Sequence, residues 1–135
     1  MGKNSMSLDL SGFTGMLERI QKAGGDIDKA AEKALSESAK PFYDDLKDGI
    51  RKHHKMGFTE ASLLDPNGAT WDGNRITLKV GFDMSKGGVP ALFIEYGTPK
   101  QAPEPFIQPA ITKNKSKAKK IQQRILGEIL GELEK

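Results

Sequence analysis

Apolar residues recur at helical spacing in three separate stretches of this 135-residue chain. The first opens at Asp9, where Phe13, Met16, Leu17 and Ile20 fall at i, i+3, i+4 and i+7, one face of an α-helix. Gly24-Gly25 interrupts it, because adjacent glycines are costly inside a helix. Asp26 is placed to cap a second helix. There Ile27, Ala31, Ala34, Leu35, Ser38, Phe42, Leu46 and Ile50 form a narrow stripe, and Glu32, Lys33, Glu37, Lys40, Asp44, Lys47 and Arg51 face away from it. The pattern predicts a long amphipathic helix whose alanines let another element approach closely. Pro41 inside it predicts a kink, since proline removes a backbone donor. A last helix is predicted over 113–134, with Ile121, Ile125, Leu126, Ile129, Leu130 and Leu133 as its apolar positions and Gly127 and Gly131 weakening it.

Between the helices the period changes. Ile76, Leu78 and Val80 alternate with Thr77 and Lys79, which predicts a strand over 75–82. Residues 58–64 have room for a short strand, and Asp65-Pro66-Asn67-Gly68 and Asp72-Gly73 make most of 57–73 an exposed loop. Gly87-Gly88 marks a turn over 85–90. The apolar run 91–96 has strand length, with a short helix as the alternative. As a strand it would form an antiparallel pair with 75–82 against the long helix. Pro99, Pro103 and Pro105 keep 98–105 extended, and Pro105 is placed to open a short helix carrying Phe106 and Ile107. The expected fold is therefore α+β: a long kinked N-terminal helix packed on a small antiparallel β-sheet, with a C-terminal helix. It forms one domain over 1–135, with 1–8 loose and 113–135 as a C-terminal helical extension.

Composition narrows the function classes. Apolar residues make up 36% and charged residues 29% of the chain, which fits a small core with polar helices better than a deep enzyme cavity. A net charge of +3 is mild and does not by itself imply nucleic acid. The absence of cysteine excludes disulfides, thiolate metal sites and a cysteine nucleophile. Residues 1–8 lack the apolar segment of a signal peptide, and no apolar stretch approaches the ~20 residues that span a bilayer. A protein made without standard export and without a membrane span is expected.

Chemistry-bearing residues are sparse. The adjacent pair His53-His54 points about 100° apart on a helix and does not make the i, i+4 chelate of a zinc helix, and Asp48 and Glu60 complete no metal spacing. Asp44, Asp45 and Asp48 interleave with Lys40, Lys47, Arg51 and Lys52, as on a solvated helix face. A metal-dependent hydrolase built on Asp44, Asp48 and His53 is therefore the weakest functional class. Gly81, Gly87, Gly88 and Gly97 belong to no phosphate loop. Glu95 is the one acid inside an apolar run, and no second acid, histidine or nucleophile stands with it for catalysis. No catalytic, cofactor or metal residues are assigned.

The segment 113–124 carries Lys113, Lys115, Lys117, Lys119, Lys120 and Arg124 without an acid. Such a run neutralises phosphates without reading sequence, which makes a basic nucleic-acid-binding protein the alternative function. It lacks interleaved aromatics for base stacking. Lysines at a helix start also oppose the helix dipole, so a negatively charged neighbour would account for them. Trp71, among turn residues, reads equally as a cover for the core edge or as an interface anchor. Trp71, Lys86, Lys113, Lys117 and Lys120 are the candidate interface residues.

One motif ties these parts to a family. Phe93, Glu95, Tyr96, Gly97 and Thr98 are followed by Pro105-Phe106 and Pro109-Ala110. This order resembles the siphophage tail-component proteins typified by gene product ten of a lambdoid phage, described as tail-completion or head–tail joining proteins. The likeness covers the long Ala-rich helix with its Lys40-Pro41 step, the loop, the strand and the motif itself. It departs after the long helix, where Thr59-Glu60-Ala61-Ser62-Leu63 lacks the glycine of the family's pattern. The resemblance implies a non-enzymatic structural role at the head–tail junction, in the virion and in host cytoplasm during assembly. Its partners would be copies of itself in a ring, connector or stopper proteins, and the tail terminator or tube. It implies a structural role for Glu95, accepting backbone hydrogen bonds or pairing across a subunit boundary. It also makes the loops 58–73 and 83–90 candidates for ordering on assembly.

Overall fold

A computed structural model describes residues 5–53, 57–66 and 68–135. Strand β1 (Ser5–Asp9) leads through a 3-10 turn (Leu10–Phe13) into helix α1 (Thr14–Lys22), and helix α2 (Ile27–Arg51) follows. A single turn, α3 (Gly57–Glu60), precedes the strands β2 (Thr70–Asp72) and β3 (Arg75–Lys79). A second 3-10 turn (Met84–Lys86), helix α4 (Val89–Tyr96) and helix α5 (Ile107–Leu133) complete an α+β architecture.

Local chemistry sets several of these boundaries. The Asp9 carboxylate accepts from the Ser11 N–H at 3.0 Å and starts the first turn. Asp26 caps α2 as expected, accepting from the Lys29 N–H at 3.2 Å. Helix α2 runs on through Pro41 to Arg51, burying Ala30, Ala31, Ala34, Leu35, Ser38, Ala39, Phe42, Leu46, Gly49 and Ile50 along one side. Its predicted stripe is therefore the core-facing side.

The sheet has the order β1-β3-β2, antiparallel throughout. Leu8, Ile76 and Leu78 point to the buried face, and Trp71 pairs with Ile76 on that same side. The other face is polar: Ser7 lies opposite Thr77, and Asp9 lies opposite Arg75, whose guanidinium sits 3.6 Å from its carboxylate. One buried and one solvated face is what alternation over 76–80 encodes.

The structure corrects five expectations. Residues 70–72, expected within an exposed loop, form strand β2 against β3. Residues 5–9 are not loose but form the edge strand β1, and residues 1–4 lie outside the described residues. The run 91–96 is helical within α4 and does not pair with β3, which instead lies between β1 and β2. Pro90 in the first turn and Gly97 at the end bound that helix, and Ala91, Ile94 and Glu95 are its buried face at i, i+3 and i+4. Residues 58–64 hold no strand. The helical turn α3 is followed by an isolated bridge between Leu63 and Phe82. The last helix starts at Ile107 rather than Lys113, so 113–135 is no appended extension.

Helix α5 lies along α2 and closes two hydrophobic clusters. One joins Leu8, Leu17, Ile20, Ala34, Leu35, Ile76 and Leu78 to Ile125, Leu126 and Leu130. The other joins Phe42, Leu46, Ile50, Phe82, Ala91 and Ile94 to Ile107 and Ala110. Partly buried Met6 and Val80 touch both. A polar contact also ties the two long helices together, as the buried Gln122 amide donates to Ser38 Oγ at 3.2 Å. No helix among the described residues is long and apolar enough to cross a membrane. Leu126 is fully buried, so Leu126→Ala is expected to cost about 2–5 kcal/mol, read as a lower urea midpoint with unchanged slope. Leu133, 36% exposed and packed against Gly25 at the end of the same helix, should lose less on change to alanine, about 1 kcal/mol.

Candidate functional site

The motif residues converge where α4 meets the start of α5. A helix start leaves backbone N–H groups without intrahelical partners. Phe106, the residue before α5, offers no side-chain cap. Glu95 supplies the cap from α4 instead. Its Oε1 accepts the N–H groups of Phe106 and Ile107, each at 2.7 Å, and its Oε2 accepts that of Gln108 at 2.9 Å. The next residue, Pro109, has no N–H to satisfy. Every orphan donor of the α5 start is thus either bonded to one carboxylate or missing.

That carboxylate belongs to a side chain only 5% exposed. Burying a charge is costly unless hydrogen bonds replace its water. Three backbone donors and the positive end of the α5 dipole do so here. Of the two roles implied for Glu95, the contacts show backbone hydrogen bonding within the chain.

The turn between the helices is closed to match. Gly97 has φ +77°, and a Cβ there would lie 2.9 Å from Gln101 O and from the Pro103 ring, so glycine is needed on both grounds. Thr98 and Gln101 bridge each other, and the Glu104 N–H donates to the Ile94 carbonyl at 2.8 Å. Phe106 then lies half-buried over α2. Its ring meets Phe82 edge-on at 5.9 Å between centroids and covers Gly49, where a Cβ would stand 2.9 Å from the Phe106 Cγ. Ala110, the last motif residue, is buried one turn further on.

The other side of α4 faces outward. Val89, Phe93 and Tyr96 are 42%, 55% and 69% exposed, and they recur at i, i+4 and i+7 along one face. The motif therefore divides by role. Glu95, Gly97, Phe106 and Ala110 hold the junction, and Phe93 and Tyr96 form an apolar surface. Thr98, Pro105 and Pro109 are exposed around the turn and the first turn of α5. Val89 escaped the sequence reading because its spacing to Phe93 and Tyr96 signifies a shared face only if 89–96 is a helix.

The proposed interface residues are dispersed. Trp71 is half-buried on β2, packed against the core, with its indole N–H donating to Glu32 Oε1 at 3.0 Å, so it covers the core edge. Lys86 is exposed at the end of a 3-10 turn tied to Asp83. Asp83 accepts from the Ser85 hydroxyl at 2.6 Å, and that bond, with the Ser85 backbone N–H, holds its carboxyl below the usual aspartate range. Lys113, Lys117 and Lys120 are exposed on α5 and share one face with Arg124. Lys113 stands 3.7 Å from Asp45, and Arg124 stands 3.7 Å from Glu128. Since α5 begins at Ile107, Lys113 lies beyond the first turn, where the dipole penalty has faded.

The candidate metal residues do not assemble. Among the described residues, no group of three or more His, Cys, Asp or Glu side chains is placed to hold a metal ion. His53 lies 3.5 Å from Glu104, and His54 is outside the described residues. Glu60 is engaged by Arg51, at 2.6 Å from Nε and 3.3 Å from Nη2, which lowers the Glu60 pKa and raises that of Arg51.

No family model, no curated protein and no solved structure matches the chain.

Two substitutions test the junction. Glu95→Gln keeps the shape but turns one acceptor into a donor facing a backbone N–H. A loss of about 2–4 kcal/mol is expected, together with faster amide exchange at Phe106, Ile107 and Gln108. A loss under about 1 kcal/mol with unchanged exchange would mean that water replaces the cap. Gly49→Ala should gain about 1 kcal/mol from helix propensity alone. The overlap with Phe106 is expected to reverse that into net destabilisation, seen as a lower Tm and a shifted Phe106 ring resonance.

Proposed function

We propose that this chain is a structural protein of phage or prophage morphogenesis, acting at the head–tail junction through ring-type assembly of its own copies. The observation that carries the reading is the outward apolar face of α4, Val89, Phe93 and Tyr96, set within the motif that resembles the tail-completion family. Clustered exposed aromatics on a short, firmly held helix are the kind of surface that a protein neighbour covers. In this reading Glu95 serves the subunit and Phe93 and Tyr96 serve the assembly. Connector or stopper proteins on one side of the ring, and the tail terminator or tube on the other, are the further partners.

A second reading has its own observation. Lys113, Lys117, Lys120 and Arg124 form one exposed basic stripe on α5. A nucleic-acid contact along that stripe would weaken steeply with salt. Within the assembly reading the same stripe would face DNA at the junction or an acidic neighbour.

The test is genetic and structural together. The gene should lie beside portal, capsid and tail genes, and its deletion should leave separate heads and tails in electron micrographs. The wild-type gene restores joined particles. A Phe93→Asp/Tyr96→Asp variant, folded as judged by an unchanged Tm, should restore roughly tenfold fewer, as loss of an aromatic contact centre implies. Joined particles without the gene, or full rescue by the double variant, would overturn the reading.

A further inference from the structure

β1 is an edge strand, and its exposed edge opens into a groove. The Leu10 N–H donates to the Asn74 carbonyl at 2.9 Å, so position 10 is a hydrogen-bonded pair with β3. Along an antiparallel strand such pairs alternate. Met6 and Leu8 therefore direct their backbone groups at β3, and Ser5, Ser7 and Asp9 direct theirs away from it. The Gln122 side chain bears this out, since its Nε2 donates to the Ser7 carbonyl at 3.3 Å from the side opposite β3.

The groove beside this edge has a volume of about 510 Å³. Ser5, Ser7 and Asp9 line it on the strand side. Its floor includes Met6, Phe42, Val80 and Ile111, and α5 contributes Lys115, Ala118 and Lys119 as the facing wall. Lys115 and Lys119 lie one helical turn apart, and neither pairs with an acid among the described residues. Among the described residues, a strand edge occupied only at the Ser7 carbonyl, by Gln122, thus faces an apolar floor and two ammonium groups.

We propose that this groove binds an extended peptide segment of a partner protein, which adds as a strand to β1. Its main chain pairs with Ser5, Ser7 and Asp9, and alternate aliphatic side chains rest on the floor. An acidic side chain between them meets Lys115 and Lys119. The five residues of β1 offer about 17 Å of edge, at about 3.4 Å per residue, so the segment spans about five residues. On docking, the segment displaces the Gln122 amide from the Ser7 carbonyl, and Gln122 keeps its contact with Ser38. Backbone pairing supplies affinity, and the lysines select charge. A helical segment, whose backbone groups are already paired, would not present them to the edge. This inference does not depend on the head–tail reading.

A random seven-residue peptide library displayed against the intact chain tests it, followed by binding of the selected synthetic peptides. Selected peptides should alternate aliphatic and polar residues and carry aspartate or glutamate. Amide exchange should slow at Ser5, Ser7 and Asp9 when they bind. Ser7→Pro removes an N–H that faces away from β3 and should abolish binding while leaving the β3 amides protected. Lys115→Glu/Lys119→Glu, on an exposed helix side, should weaken binding roughly tenfold or more. The proposal is overturned if no peptide binds tighter than about 1 mM, a level that carries little free energy. It is equally overturned if the binders are indifferent to both variants. Competition by a DNA oligonucleotide would assign the lysines to phosphate instead. Concentration-dependent self-association that Ser7→Pro removes would assign the edge to a second copy, and would likewise overturn the partner segment.

Discussion

One buried carboxylate holds the second half of this fold in place. Glu95 collects the N–H groups of Phe106, Ile107 and Gln108, and α5 starts where those bonds direct it. Helix α5 then supplies one wall to both hydrophobic clusters, Ile107 and Ala110 to one and Ile125, Leu126 and Leu130 to the other. Placing the first turn of a 27-residue helix fixes the line of all the residues that follow. A water-filled helix start at this junction would leave that line to packing alone. A charged cap inside the protein adds direction, because its lone pairs and the three donors are satisfied in one geometry only.

The same contact determines what α4 can present. Eight residues are too few for a helix to persist by itself in water. It is held instead by Pro90 at its start, by the Gly97 turn at its end and by Glu95 and Ile94 on its inner side. The outer residues Val89, Phe93 and Tyr96 therefore stand on a firm backbone. Side chains held this way lose less conformational freedom when a neighbour covers them than side chains on a loop would. Folding uses one side of these eight residues and leaves the other side exposed.

Helix α5 distributes its charges in a related way. Its buried face is occupied by Ala110, Asn114, Gln122, Ile125 and Leu126, which leaves the lysines to the remaining circumference. Lys113, Lys117 and Lys120 fall together on one exposed stripe, and Lys115 and Lys119 fall beside the β1 edge. A run that looks uniform in the sequence thus divides into two groups with different surroundings. Lys113 has an acid within reach in Asp45, and the pair beside the groove has none among the described residues.

Much of the architecture is legible in the chain itself. The stripe from Ile27 to Ile50, the Asp26 cap and the alternation over 76–80 depend on neighbours one helical turn or two residues away, and each is present in the fold. The run 91–96 was not decided in this way, because a six-residue apolar stretch with Glu95 as its one charged position has no period to separate strand from helix. Its state follows from Glu95 meeting a helix start eleven or more residues later. Strand β1 was hidden for another reason. Ser5, Ser7 and Asp9 do alternate with Met6 and Leu8, but five residues at the chain's start carry that signal weakly until they pair with β3. The helix start near Phe106 and Ile107 was legible from Pro105, but its continuity with the last helix was masked by Pro109, which breaks a helix in the interior and fits its first turn here. The sequence by itself determined the helices and the alternating strand, since their signals are local. Tertiary structure alone decided the α4–α5 junction, the outward aromatics and the exposed strand edge, since each depends on residues brought together across a gap that no local pattern spans.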